Sequence, residues 1–128
     1  MTVLVIEDDP VTARLVAMSV GRFGLGVVTK STGQDGLEWL ATSGRCSLVI
    51  TDLSMPGMSG LDVVRAMAGD PRLARIPVIA CTASADPATV AAAIAAGVSD
   101  YIVKPIRPAV IAAKVAALIG DSSVSARP

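Results

Sequence analysis

Acidic residues near the N-terminus pose an electrostatic problem. Glu7, Asp8 and Asp9 come directly after residues 3–6, which are all apolar. Neighbouring carboxylates repel one another, and burying an unpaired one costs several kcal/mol. They therefore either face water at the start of a helix or hold a cation. An all-oxygen site of this kind suits a hard divalent cation such as Mg²⁺, or Mn²⁺ in its place.

Three other residues with reactive or phosphate-binding side chains also follow short apolar runs. Asp52 ends "VITD", Thr82 ends "IACT" and Lys104 ends "YIVK". In an open parallel sheet, ligands bind outside the carboxyl ends of the strands, so these side chains are expected at one edge with the acids. A carboxylate beside a metal can attack phosphorus, and an ammonium and a hydroxyl can bind the transferred phosphoryl oxygens. The pattern predicts a phosphoryl-acceptor site without an obvious base to activate water, so the phosphorylated form should persist.

The elements that must position these residues follow from the hydrophobic pattern. Predicted strands span 3–6, 25–29, 47–51, 76–81 and 100–103, and predicted helices span about 10–22, 33–43, 60–69, 87–96 and 107–119. Three of the strand segments are continuously apolar, as strands buried on both faces are. Strand and helix alternating five times predict a doubly wound α/β domain with a parallel sheet. We expect one domain over residues 1–120 and a flexible C-terminal tail over 121–128.

The composition excludes several classes of function. The 128 residues include 11 basic and 11 acidic side chains, no histidine and only 2% aromatic residues. A neutral, aromatic-poor chain argues against nucleic-acid binding, and histidine-based catalysis or metal ligation is ruled out. Cys46 and Cys81 lack metal-type spacing and are expected as reduced thiols. No signal peptide is evident and no apolar stretch is long enough for a bilayer, so we expect a cytoplasmic protein without membrane contact.

Four segments together resemble a known family. "VLVIEDD", "LVITDLSMPGMSG", "VIACTAS" and "DYIVKPI", in this order and spacing, are similar to the CheY-like receiver domain of bacterial two-component response regulators. The resemblance covers about residues 2–119. It implies a (βα)5 flavodoxin-like fold whose five parallel strands lie in the order 2-1-3-4-5.

The resemblance also implies roles for the acidic residues. Asp52 would be the phospho-acceptor and a metal ligand, Asp8 a direct Mg²⁺ ligand, and Glu7 would act largely through water. The backbone carbonyl of Ser54 would complete the ligands from the protein. Asp9 matches no ligand of the family, and we expect it to cap the first helix.

Further roles concern phosphate binding and switching. By resemblance, Thr82 is the switch hydroxyl, Tyr101 the switch aromatic and Lys104 the phosphate-binding lysine. A cis peptide bond is expected between Lys104 and Pro105.

The resulting hypothesis is a phosphorylation-activated signalling switch rather than an enzyme. A histidine kinase or histidine phosphotransfer protein would donate the phosphoryl group, and the face formed by helix 4, strand 5 and helix 5 would bind an output protein. We expect a monomer or weak dimer, either a single-domain regulator or part of a longer one.

Two rival functions remain open at this stage. One is a haloacid-dehalogenase-like phosphatase, although "EDDP" lacks the D-x-D spacing that family carries after its first strand. The other is a receiver fold that signals by binding alone, without phosphorylation.

Overall fold

Five strands alternate with five helices in the part of the chain that the structure, a computed structural model, describes: residues 1–43 and 45–120. In chain order the elements are β1 (Thr2–Ile6), α1 (Pro10–Gly21), β2 (Gly26–Lys30), α2 (Gly33–Ser43), β3 (Leu48–Asp52), α3 (Gly60–Ala68), β4 (Val78–Thr82), α4 (Pro87–Ala96), β5 (Asp100–Val103) and α5 (Pro108–Val115). A π-helical turn, Ala116–Gly120, continues α5. The tail expected over 121–128 lies outside the described residues.

The strands form one parallel sheet in the order β2-β1-β3-β4-β5. This order reverses direction at β1, because the chain first moves to β2 and then crosses to β3 on the other side. The sheet confirms the predicted fold class and strand order. It also brings the carboxyl ends of β1 and β3 side by side, where a doubly wound sheet places its ligand.

The core consists of two apolar layers, one on each face of the sheet. Side chains alternate along each strand, so Val3 and Val5 of β1 face one layer while Leu4 and Ile6 face the other. The first layer is covered by α1 and α5, and the second by α2, α3 and α4. β1, β3 and β4 are therefore covered on both sides, which explains their continuously apolar sequences.

The strand boundaries differ from the sequence-based ones in a way that matters for the site. β3 ends on Asp52 and β4 ends on Thr82, whereas the sequence pattern placed both residues just after their strands. β4 begins only after Pro77, which has no N–H to donate and whose carbonyl accepts from Val49. Asp52 pairs with Cys81 in the ladder. The directions of the Asp52 and Thr82 side chains are therefore set by the sheet.

The start of α1 explains the third acid of the opening cluster. Asp9 has an extended backbone, and its carboxylate accepts a hydrogen bond from the Thr12 N–H at 3.2 Å. Pro10 occupies the first helical position, where its missing N–H costs no hydrogen bond. The expected capping role of Asp9 is confirmed. No helix among residues 1–43 and 45–120 is long and apolar enough to cross a membrane.

Candidate functional site

Three carboxylates meet where β1 and β3 end. Oxygen atoms of Glu7, Asp8 and Asp52 lie within 4.8 Å of one another. The side chains of Glu7 and Asp52 are each only 4% exposed, whereas Asp8 is exposed. Three clustered carboxylates form an all-oxygen donor set with one side open to water, which fits a hard divalent cation.

Lys104 is the counterion of the two buried carboxylates. Its Nζ lies 3.0 Å from Oδ2 of Asp52 and 3.2 Å from Oε1 of Glu7. Burial opposes the positive charge of Lys104, but the hydrogen bonds and charges of Asp52 and Glu7 together more than offset it, so the pKa of Lys104 is raised. The lysine therefore stays protonated at the site.

The environment of Glu7 raises the pKa of its carboxyl group. Burial raises the pKa of the Glu7 carboxyl to about 7, although the Asp9 N–H, which donates to Oε2 at 3.2 Å, opposes the shift. The negative charge of Asp52 adds to the rise, while Lys104 opposes it. Burial is thus the main reason that the Glu7 carboxyl resists ionising, and a divalent cation bound beside it would favour the charged form.

The loop after β3 contacts the carboxylate of Asp52 directly. The Ser54 N–H donates to Oδ1 of Asp52 at 3.2 Å. Because Oδ2 faces Lys104, each oxygen of this carboxylate has a polar partner. The ligand role of the Ser54 carbonyl stays a prediction.

Thr82 and Tyr101, the two residues expected to switch, are both partly or fully buried. Thr82 is 5% exposed, and its hydroxyl donates to the Ser84 carbonyl at 3.1 Å and accepts from the Ser84 N–H at 3.2 Å. Tyr101 is half-buried against the layer covered by α2, α3 and α4. In this arrangement the Thr82 hydroxyl is engaged by the loop before α4.

Two backbone features connect Lys104 to this region. The Lys104 N–H donates to the Thr82 carbonyl at 2.7 Å, which joins the ends of β4 and β5. The peptide bond between Lys104 and Pro105 is cis, as the resemblance implied.

The thiol next to Asp52 in the sheet is unreactive. Burial, together with the charges of Asp52 and Glu7, raises the pKa of Cys81 to about 12. Both Cys46 and Cys81 are free thiols, as the sequence predicted. Cys81 is therefore a protonated core residue at neutral pH and supplies no nucleophile.

The structure brings together most of the residues selected from the sequence and adds two contacts that reasoning from sequence missed. Glu7, Asp8, Asp52 and Lys104 form one cluster, with Thr82 joined to Lys104 through the backbone. The missed contacts are the sharing of Lys104 between two carboxylates and the close approach of Gly60 to the Asp52 backbone. The second had a sequence signal, a glycine at the start of a helix next to the site.

Comparison with a family model identifies the domain type. Residues 3–116 match the response regulator receiver domain. The chain belongs to the response regulator receiver family. It is thus a CheY-like receiver domain, the type used in two-component signalling, as the sequence motifs indicated.

Individual relatives agree with this assignment. The receiver domain is 35% identical to the chemotaxis protein CheY1 of Helicobacter pylori (strain ATCC 700392 / 26695) over 123 residues, 95% of this chain and 99% of that protein. It is 33% identical to the transcriptional regulatory protein AfsQ1 of Streptomyces coelicolor over 92% of this chain but only 51% of that protein. The solved structure of the chemotaxis response regulator CheY4 of Vibrio cholerae has the same fold, with a TM-score of 0.86, 23% identity, and coverage of 91% of this chain and 97% of that chain.

Membership of the family has consequences for the site. Receiver domains are signalling switches that bind Mg²⁺ through acidic residues and interact with histidine kinases and output partners. In this receiver domain the residues available for the ion are Glu7, Asp8 and Asp52. When bound, the ion would offset the charge of carboxylates and phosphoryl oxygens.

The raised pKa of Glu7 predicts a pH-dependent affinity for Mg²⁺. Since the Glu7 proton must leave before the carboxylate can assist the ion, the association constant should rise roughly tenfold between pH 6 and pH 8. Without metal, stability should fall as pH rises from the ordinary value of 4.5 through about 7, because the folded state holds this proton more tightly than the unfolded state. Titration calorimetry in buffers of different ionisation enthalpy measures both the affinity and the released proton. The Glu7→Gln variant should flatten the profile, and an equally steep profile in that variant would contradict the assignment to Glu7.

Proposed function

We propose that this receiver domain accepts a phosphoryl group on Asp52 with Mg²⁺ and thereby changes the surface it offers to an output protein. The donor is a phosphohistidine of a histidine kinase or histidine phosphotransfer protein. The observation that carries the proposal is the buried Asp52 carboxylate, paired with Lys104 at 3.0 Å and grouped with two further carboxylates. A nucleophile, a phosphate-binding cation and a set of metal ligands are the parts that phosphoryl transfer needs.

The transfer step follows from these positions. A carboxylate oxygen of Asp52 attacks phosphorus, the P–N bond to the donor imidazole breaks, and its electron pair leaves with the imidazole. Lys104 keeps its proton and stabilises the phosphoryl oxygens electrostatically. Glu7, Asp8, Asp52 and the Ser54 carbonyl would hold the ion.

The switch that we propose begins at Thr82. In the present arrangement its hydroxyl bonds to the Ser84 backbone, and a phosphoryl group on Asp52 would offer it a more strongly accepting, charged partner. Movement of Thr82 toward the phosphate would release the loop before α4. Tyr101, half-buried beside α4, would then occupy the space vacated, which shifts an existing equilibrium between two states.

The output surface that we propose consists of α4, β5 and α5. It exposes large apolar side chains, with Ile94 59%, Val103 37% and Val110 38% exposed. Exposed apolar side chains of this kind favour a protein partner over nucleic acid. The names of the relatives cover both chemotaxis and transcription, so the proposal specifies a protein partner without a pathway.

We also propose the cytoplasm as the compartment of this exchange. Both thiols are free, and reducing conditions keep them so.

The proposal is tested by incubating the wild-type chain with acetyl phosphate, with and without Mg²⁺, and measuring the intact mass. We expect a gain of one phosphoryl group that depends on Mg²⁺. Reduction of the acyl phosphate with borohydride, followed by peptide mapping, should convert Asp52 to homoserine.

Other outcomes would overturn the proposal in distinct ways. Rapid release of phosphate without a phosphorylated form would favour an aspartyl-phosphate phosphatase. A folded chain that gains no phosphoryl group from acetyl phosphate or from a phosphorylated histidine phosphotransfer protein would favour a receiver that signals by binding alone.

A further inference from the structure

We propose that Gly60, the first residue of α3, is a positioning residue for the phospho-acceptor Asp52. The inference rests on the proposed function for its kinetic readout, but the contact itself is structural. The nearest atoms to a Cβ at position 60 belong to the backbones of Asp52 and Leu53, not to a carboxylate. Gly60 would therefore act on the reaction through the backbone of Asp52.

The backbone of α3 approaches the end of β3 too closely for any side chain at position 60. A Cβ atom there would overlap the carbonyl oxygen of Asp52, and it would lie 2.7 Å from the Cα of Leu53 and 2.9 Å from the carbonyl carbon of Asp52. Non-bonded atoms do not approach this closely. Because all three atoms belong to the backbone, no side-chain rotation relieves the overlap, and the strand end or the helix must move.

The same contact closes the loop that follows the acceptor. The Gly60 N–H donates to the Leu53 carbonyl at 3.1 Å, so residues 53–60 return to the end of β3. On the other side, the Leu53 N–H donates to the Cys81 carbonyl at 2.9 Å. The backbone directly after Asp52 is therefore held between β4 and the first residue of α3.

Displacement of this backbone would reach the reacting atoms. The carboxylate of Asp52 lies 3.0 Å from Lys104 and accepts the Ser54 N–H at 3.2 Å, and both distances depend on where the strand ends. A misplacement of about 1 Å in a reacting group can lower a rate about a hundredfold. A glycine at position 60 is thus required for the geometry of the acceptor as well as for packing.

Two other glycines provide matched controls. A Cβ at Gly33, the first residue of α2, would lie 2.7 Å from Cγ2 of Val63, 3.2 Å from Cγ of Met58 and 3.3 Å from the Met58 carbonyl oxygen, and none of these three nearest atoms belongs to Asp52. A Cβ at Gly69, after α3, would make only ordinary contacts at 3.6 and 3.7 Å. Gly33→Ala therefore tests overlap that is closest with side-chain atoms rather than with the Asp52 backbone, and Gly69→Ala tests the effect of replacing a glycine without overlap.

The experiment compares Gly60→Ala, Gly33→Ala and Gly69→Ala by thermal unfolding, by the rate of phosphorylation with acetyl phosphate, and by backbone amide NMR without Mg²⁺. For Gly60→Ala we expect a rate at least about tenfold below the wild type and large amide shifts at residues 52–54. Gly33→Ala should lower the melting temperature while its rate stays within about twofold of the wild type, because its closest contacts are with side-chain atoms of Val63 and Met58, which can shift without displacing the backbone of Asp52. Gly69→Ala should change neither the melting temperature nor the phosphorylation rate.

These measurements distinguish a role of Gly60 in positioning Asp52 from a role in folding, and they test it separately from the proposed function. A folded Gly60→Ala variant with the wild-type rate and unshifted amides at 52–54 would overturn the inference. The inference would also be overturned if Gly33→Ala, at the same melting temperature as Gly60→Ala, lost as much of the phosphorylation rate. If the wild type itself is not phosphorylated, the proposed function fails, whereas the amide shifts still decide whether Gly60 positions Asp52.

A milder variant covers the case in which Gly60→Ala does not fold. Ser59 caps α3 in a reciprocal pair with Asp62: its hydroxyl accepts from the Asp62 N–H at 3.2 Å, and its N–H donates to Oδ2 of Asp62 at 3.1 Å. Ser59→Ala loosens the start of α3 without overlap, at a cost of about 1 kcal/mol. We expect a rate about two- to fivefold lower with amide shifts that extend to Asp52. Unchanged rate and shifts would overturn the inference.

Discussion

Asp52→Asn is expected to abolish phosphorylation of the chain by acetyl phosphate and by a phosphohistidine donor. The amide has no anionic oxygen, so it lacks the nucleophile that forms an acyl phosphate. Neither other carboxylate of the cluster is expected to replace it, because both oxygens of Glu7 are already engaged, by the Asp9 N–H and by Lys104, and Asp8 lies outside the contacts of Lys104. Intact mass after incubation with Mg²⁺ and donor measures the effect.

The Asp52→Asn variant should retain the fold. Asparagine has nearly the same shape, and its carbonyl oxygen can still accept the Ser54 N–H. Lys104 keeps Glu7 as a partner at 3.2 Å. Loss of the Asp52 charge also removes one cause of the raised pKa of Glu7, so that pKa should fall.

Asp35→Asn is the matched control for this prediction. Asp35 is an exposed acid in the first turn of α2, outside the carboxylate cluster. The control should gain one phosphoryl group at the wild-type rate. Phosphorylation of Asp52→Asn at a rate near the wild type would show that the acceptor lies elsewhere.

Lys104→Met is expected to slow phosphorylation about a hundredfold, which is the usual cost of removing one charged group that stabilises a transition state. The methionine side chain has a similar length and can fill the space, but it carries no charge for the phosphoryl oxygens. The rate is measured with saturating Mg²⁺ so that a change in metal affinity does not enter.

The same variant should be unstable in the absence of metal. Removing Lys104 leaves the buried carboxylates of Glu7 and Asp52 without a counterion, which should lower the free energy of unfolding by on the order of 3 kcal/mol at pH 8. The loss should shrink toward pH 5, because protonation of a carboxyl removes the repulsion. Mg²⁺ should restore part of the stability and bind more tightly than in the wild type, since it no longer competes with the ammonium.

Lys114→Met is the control for this second prediction. Lys114 pairs with Asp100 at 3.0 Å and is 30% exposed, close to the 28% of Lys104, but its partner is 34% exposed. An exposed partner can regain water, so the control should lose little stability and keep its rate with acetyl phosphate. If Lys104→Met behaved like Lys114→Met in both assays, the role of Lys104 as counterion and phosphate ligand would be wrong.

The contents of the site followed from the sequence because parallel-sheet geometry is regular. Every strand runs in the same direction, so the residues that follow the apolar runs lie at one edge of the sheet. These residues are Glu7, Asp8, Asp52, Thr82 and Lys104. Asp9 as a helix cap was equally local, because a cap depends only on its own turn and the next few residues. The switching of Tyr101 and the ligand role of the Ser54 carbonyl stay predictions.

Only the tertiary structure determined which of these groups form ion pairs and how closely they pack. Lys104, which follows β5, reaches both Asp52 at the end of β3 and Glu7 after β1 although β4 lies between β3 and β5, and burial raises the pKa of Glu7 to about 7. Likewise, the bonding of Thr82 to Ser84 and the contact of Gly60 with the Asp52 backbone depend on distances between elements. Residue types and strand direction determine which side chains reach this edge of the sheet. Burial of a carboxyl and contact between two backbones, however, depend on distances of an ångström or less, and a sequence pattern does not specify such distances.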